Sequence, residues 1–285
     1  MTNRPQTIQI YLPGGDPRGI RMAEITARIP QVIEVPRSLL ANYFKMPEAS
    51  QVAIYFLVGQ ESEAEEVQVY VGQTGDSGTR FSKHNRDKDF WQRALVVISK
   101  TQSLTQAHAG FLEWWCIQQV KAAGRYALVN GNDASKPHVP APLEADCHEI
   151  FDTARILLST LGFPLFDAVS AQAEQSGNSE TLYCKASDAD GQGLFTAEGF
   201  VLLKGSSGRR EPVPSFKTSP GQKVRERLIE SGVFAVVGDR IVAQKDHLFT
   251  SPSTAAYTLM GRTANGWVDW KDAQGRTLDQ LKRPK

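Results

Sequence analysis

Cysteine is scarce in this chain. Cys116, Cys147 and Cys184 are far apart and form no CxxC pair, which argues against a zinc site or a disulfide framework and for a reducing, cytoplasmic setting. No apolar run approaches the ~18 residues of a membrane span. No apolar stretch follows Met1-Thr2-Asn3-Arg4-Pro5-Gln6, so a secretory signal is not expected. A Gly-rich nucleotide loop, a paired-His metal motif and a serine-nucleophile elbow are all missing. Charge of one sign is missing too: the net charge is +1, so any footprint for a polyanion must be local. What is present, 41% hydrophobic and 22% charged residues over 285 positions, describes a folded globular chain long enough for two domains.

Periodicity and punctuation divide the chain into four segments. Residues 1–48 read as a small β extension with a short helix, expected to pack on a larger unit. Residues 49–165 begin with a hairpin of two apolar strands, at 52–58 and 67–72, joined by an acidic loop with glutamates at 61, 63, 65 and 66. Gly75-Asp76-Ser77-Gly78 then breaks the chain ahead of a short helix over 79–86, and the apolar run Ala94-Leu95-Val96-Val97-Ile98 predicts a buried strand. Ser103 is the expected N-cap of a long helix ending near Gly124, and a second helix is expected over 143–161. Residues 166–180 have no apolar stripe and read as a linker. Residues 181–285 form a second small unit, with strands at 181–184 and 199–203, a helix over 220–231, a hairpin turning at Gly238-Asp239 and a short helix over 252–260. The fold class expected for both units is α+β.

Several side chains in the first large unit form a chemical pattern. Tyr55 and Tyr70 stand at strand positions, where tyrosine also serves as a packing residue. Arg80 opens the helix after the glycine turn, with His84 at i+4 on the same face. A guanidinium and an imidazole beside such a turn suit a phosphate, whereas the alternative for Arg80, Lys83, His84 and Arg86 is a solvated basic face. Glu113 has Ala109, Gly110, Cys116 and Ile117 as helical neighbours, with Val120 a turn further, so its face is expected to be buried. A carboxylate there calls for a metal or a salt bridge to arginine. The remaining carboxylates nearby fall in loops and turns, which favours one Mg2+ or Mn2+ retaining waters over a two-metal clamp. Asn130 precedes Gly131, a pair that also reads as a plain turn. In the second unit Lys204, Arg209, Arg210, Lys217, Lys223, Arg225 and Arg227 outnumber Glu211 and Glu226. That run describes either a phosphate-tracking surface or a solvated face.

Taken in order, these residues resemble the GIY-YIG nuclease family over roughly residues 50–132. Ala53-Ile54-Tyr55 matches the first motif with alanine for its leading glycine, and Tyr70-Val71-Gly72 matches the second with valine for isoleucine. The family's helical arginine falls on Arg80, a histidine of some members on His84, the metal-binding glutamate on Glu113 and the late asparagine on Asn130. From about residue 195 the chain is similar to the uncharacterised small domain often appended to such nucleases. The resemblance implies a small central sheet flanked by helices, and metal-dependent hydrolysis of nucleic-acid phosphodiesters, DNA in the first instance. Tyr55 would be the general base, its ordinary pKa of about 10 lowered roughly one to three units by a nearby cation. Arg80 would clamp the charge at phosphorus, and Glu113 would hold the metal. Tyr70 and His84 would bond phosphate or water, and Asn130 would fix the backbone or the surroundings of the glutamate. Lys83, Arg86, Lys223, Arg225 and Arg227 are the expected nucleic-acid contacts. The competing reading is a nucleic-acid-binding or scaffold protein that keeps the fold without turnover, which the altered first motif and the near-neutral charge permit.

Overall fold

Runs of β-branched and aromatic residues, bounded by Gly and Pro, build a seven-stranded sheet in the first part of this computed structural model. The structure describes residues 5–59, 67–131, 135–168, 180–196 and 198–283. The acidic loop at 60–66 and most of the expected linker, 169–179, lie outside the described residues. Two compact units are present, Met1–Phe166 and Asp167–Lys285, and each is α+β.

In the first unit the strands are β1 (Ile8–Tyr11), β2 (Arg21–Ile25), β3 (Pro30–Pro36), β4 (Ala53–Gly59), β5 (Gln68–Thr74), β6 (Trp91–Ser99) and β7 (Ala127–Leu128). Their order is β1-β2-β3-β6-β4-β5-β7. All neighbours are antiparallel except β5 and β7, so the sheet is mixed. The N-terminal strands are part of this sheet, because β3 pairs with β6 from Pro30↔Ser99 to Pro36↔Arg93. Helices α1 (Leu40–Tyr43), α2 (Ser77–Asp87), α3 (Gln106–Ala123) and α4 (Ala141–Thr160) cover it.

Strand alternation sorts the core into two layers. Ile54, Phe56 and Val58 of β4 pack with Phe111, Leu112 and Ile117 of α3 and Leu157 and Leu158 of α4. Ala53, Tyr55 and Leu57 point the other way, into a cluster with Tyr43, Phe81 and Trp91. Tyr55 is thereby aimed at the α2 side. Helix α2 starts two residues earlier than the sequence suggests, because Asp76 caps it and accepts from the Thr79 backbone N–H (3.1 Å) and hydroxyl (3.0 Å). The cap of α3 is Thr105 rather than Ser103, and it is reciprocated by His108 Nδ1, which accepts from the Thr105 N–H (3.2 Å). Ser103 instead bonds Ser99 (2.9 Å).

The second unit holds β8 (Leu182–Ala186), β9 (Ala189–Thr196), β10 (Gly199–Leu202), β11 (Ser207–Arg209), β12 (Phe234–Val237), β13 (Arg240–Ala243) and β14 (His247–Phe249). They are ordered β12-β13-β11-β9-β10-β14, with β8 paired to β9. Helices α5 (Pro220–Glu230), α6 (Pro252–Met260), α7 (Gly266–Asp269) and α8 (Leu278–Lys282) accompany them. Phe200, Phe234, Ile241, Leu259 and Trp270 form the core. Gly238-Asp239 turns the β12–β13 hairpin as expected, with Gly238 at φ 62°. Strand β9 was not expected from its Gly- and Asp-rich sequence. Its glycines are there because an added Cβ at Gly191 would collide with Leu259, and one at Gly193 with Phe200. Among the described residues no helix is long and apolar enough to cross a membrane.

Candidate active site

The outer edge of β5 organises one side of the site. A strand that is not fully paired leaves backbone groups exposed on alternate residues, and each needs a partner. Along β5 the partners change in turn. The Val69 carbonyl accepts from the Val129 N–H (3.0 Å), continuing the short pairing with β7. At Val71 the side chain of Asn130 takes over, its Oδ1 accepting from the N–H (2.9 Å) and its Nδ2 donating to the C=O (2.7 Å). At Gln73 the N–H donates to the carboxylate of Glu113. Asn130 is thus a side-chain imitation of a strand and a positioning residue, with its amide taken up by backbone.

Across β4 and β5, register opposes Tyr55 to Gly72 and Leu57 to Tyr70. Gly72 is required there, because a Cβ would collide with the ring and hydroxyl of Tyr55. From α2, Arg80 Nε donates to the Tyr55 hydroxyl (3.0 Å), and its guanidinium also donates to Tyr70. His84, one turn later, sets Nε2 2.8 Å from the Tyr55 oxygen. The two tyrosine ring centroids are 6.2 Å apart, and that of Tyr70 lies 5.2 Å from His84. Tyr55, Tyr70, Arg80 and His84 therefore converge, and Glu113 stands close enough to act electrostatically on both Arg80 and Tyr55.

The electrostatics correct the simplest expectation for Tyr55. Its residue exposure is 0%, and burial raises the phenol pKa by more than the Arg80 bond and charge lower it. The phenol is therefore protonated at neutral pH, with its oxygen engaged by Arg80 and His84. His84, 5% exposed, is pushed the opposite way, down to about 4, by burial first and then by Arg80 and Lys88. A neutral imidazole beside a phenol that already accepts from Arg80 receives the phenolic hydrogen at Nε2.

Glu113 is half-buried rather than fully enclosed, although Ala109, Cys116 and Ile117 around it are buried as expected. Burial raises its pKa, while the Gln73 N–H and the Arg80 charge oppose that rise. Among the described residues it makes no salt bridge, and no group of three or more His, Cys, Asp or Glu could hold a metal together. A half-buried carboxylate near Arg80 but with no salt bridge among the described residues suits one hard cation that keeps most of its waters.

Other expected residues are placed elsewhere. Lys83 and Arg86 are exposed on α2, and neither bonds Tyr55 or Tyr70 as Arg80 does; Lys83 is near enough to add to the positive charge acting on His84. In the second unit Lys223 and Arg227 are exposed on α5. Arg225 is not: 1% exposed, it donates to the carbonyls of Thr258 (3.1 Å) and Arg210 (3.0 Å), and so is withdrawn as a phosphate contact. Its position should have warned of this, since Gly221, Arg225 and Leu228 share the buried stripe of α5. Two residues were overlooked: Gln73, whose backbone holds Glu113, and Lys88, whose Nζ lies 4.5 Å from the Tyr70 ring centroid. Lys88 lies two residues beyond the helix expected over 79–86, so helical spacing did not single it out.

The family described as "Domain of unknown function (DUF4357)" matches residues 182–282, about a third of the chain and most of the second unit. No curated protein and no solved structure matches the chain.

Proposed function

We propose that the first unit is a metal-dependent endonuclease of the GIY-YIG type, hydrolysing nucleic-acid phosphodiesters, with DNA as the first substrate to test. The observation that carries this reading is the convergence of two phenols, a guanidinium and a neutral imidazole beside a carboxylate that makes no salt bridge among the described residues. Glu113 is the residue to hold Mg2+ or Mn2+, which would supply positive charge to the leaving oxygen. Arg80 meets a phosphate by exchanging its phenol partners for phosphate oxygens, which uncovers the Tyr55 hydroxyl. The attacking water then gives its proton to the Tyr55 oxygen while Tyr55 passes its own to His84 Nε2. The water oxygen bonds to phosphorus as the ester oxygen leaves. No free phenolate is needed, and the negative phosphate makes His84 a better acceptor than it is in the empty protein. Tyr70 donates to a phosphate oxygen, and Asn130 keeps β5 and hence Gln73 in place.

A plasmid-nicking assay with Mg2+ or Mn2+, and EDTA as control, tests the proposal. Arg80→Ala should slow cutting by roughly 10²–10³-fold, the scale of losing a charge-stabilising donor, and Glu113→Ala should abolish it with the fold intact by circular dichroism. Equal cutting by Glu113→Ala and wild type would defeat the assignment. The burial of Tyr55 favours one other reading, a nucleic-acid-binding or scaffold protein without turnover. DNA binding without metal-dependent nicking would select it.

A further inference from the structure

We propose that Lys88 is a second phosphate-binding cation of this site, gripping the nucleic-acid phosphate next to the one held by Arg80. This rests on the nucleic-acid reading of the site above. Lys88 is half-buried and is the C-cap of α2, four residues beyond His84 in the chain. Its ammonium lies over the ring of Tyr70, whose hydroxyl shares Arg80 with Tyr55. Its backbone is fixed as well, because the Lys88 N–H donates to the His84 carbonyl (3.0 Å) and closes α2.

The turn that carries it is clasped from outside by Arg37. That guanidinium donates to Asn85 Oδ1 (2.8 Å) and to the carbonyls of Asn85 (2.9 Å), Asp89 (3.1 Å) and Trp91 (3.2 Å). It also lies over the Trp91 ring. Of the acids beside Lys88 in sequence, Asp89 turns to Arg37 (3.6 Å), and Lys88 makes no ion pair among the described residues. Lys88 is thus held at main chain by the His84 carbonyl and at side chain by the Tyr70 ring, with no carboxylate partner among the described residues. Here it is preorganised at the mouth of the site, where an anionic chain would neutralise it.

The test is the salt dependence of binding to a fluorescein-labelled DNA duplex, measured by anisotropy in EDTA so that no cutting intervenes. Lys88→Met keeps the stem and loses the charge. It should lower the slope of log affinity against log salt by about 0.9, the value of one phosphate contact, and weaken binding at low salt by about tenfold. Lys88→Arg should keep the wild-type slope. In Mg2+, Lys88→Met should raise KM and leave kcat nearly unchanged. An unchanged slope in Lys88→Met, even with a lowered Tm, assigns Lys88 to packing and overturns the proposal. Wild-type binding without nicking defeats the nuclease reading while the slopes still decide Lys88, and no binding to the duplex overturns both.

Discussion

His84 is the residue at which the physical account is most exposed to measurement. Buried and crowded by cations, it holds its proton only below about pH 4, whereas in the unfolded chain its pKa is near 6.5. Between those values the unfolded state binds a proton that the folded state refuses. Stability contributed by neutral His84 is therefore complete above about pH 6.5 and lost as pH falls toward 4, by up to roughly 3 kcal/mol. Urea titrations across that window should show wild type losing more stability than His84→Gln, and parallel losses would contradict the buried neutral imidazole. Gly72 is the second such residue. Gly72→Ala drives a methyl group into the Tyr55 ring and should lower stability by about 1–3 kcal/mol, the cost of overpacking. It should also displace the phenol from Arg80 and His84 and stop cutting. A thermal scan and the nicking assay together check it, and an unperturbed variant would mean that Tyr55 is not pinned by this contact.

At the scale of elements, the β5 edge is the device that joins chemistry to fold. Backbone pairing with β7 ends at Val69, and Asn130 and Glu113 continue it by side chain at Val71 and Gln73. Asn130→Ala leaves a strand N–H and C=O without partners, at a cost of about 1–3 kcal/mol. Hydrogen exchange should accelerate first at Val71 and Gln73, and protection equal to wild type there would contradict the strand-edge role. This device was only half legible in sequence. Helical spacing gave Arg80 with His84, because that periodicity is local, whereas the all-apolar run 53–58 gave Tyr55 a strand position but not the face it points to. That the amide of Asn130 faces β5 is a contact between residues 59 apart, which no local spacing encodes. Tyr55 was legible as a candidate but its protonation was not, since burial depends on α2 and Gly72 closing over it. In the second unit β9 was not legible, because its glycines lower strand propensity even though they let Leu259 and Phe200 approach the strand.

Over the whole molecule the near-zero net charge conceals an asymmetry. Residues 1–180 carry 16 Lys and Arg against 20 Asp and Glu, whereas residues 181–285 carry 16 against 11. The first unit thus has little general attraction for a polyanion beyond the cations at its candidate site, and the second unit carries the excess positive charge. With Arg225 buried, Lys223 and Arg227 are the α5 cations left to contact phosphate. Lys223→Gln with Arg227→Gln should lower the salt slope of DNA binding by about 1.8 while kcat holds, and an unchanged slope would remove the second unit's helix from the interface. The proposed hydrolysis depends on a divalent cation at Glu113. Its most direct test is anomalous diffraction from crystals of the full chain soaked in Mn2+. The expected result is a single manganese peak on the Glu113 carboxylate, facing Arg80 and Tyr70, and a Glu113 without manganese in crystals that bind it elsewhere would contradict the account.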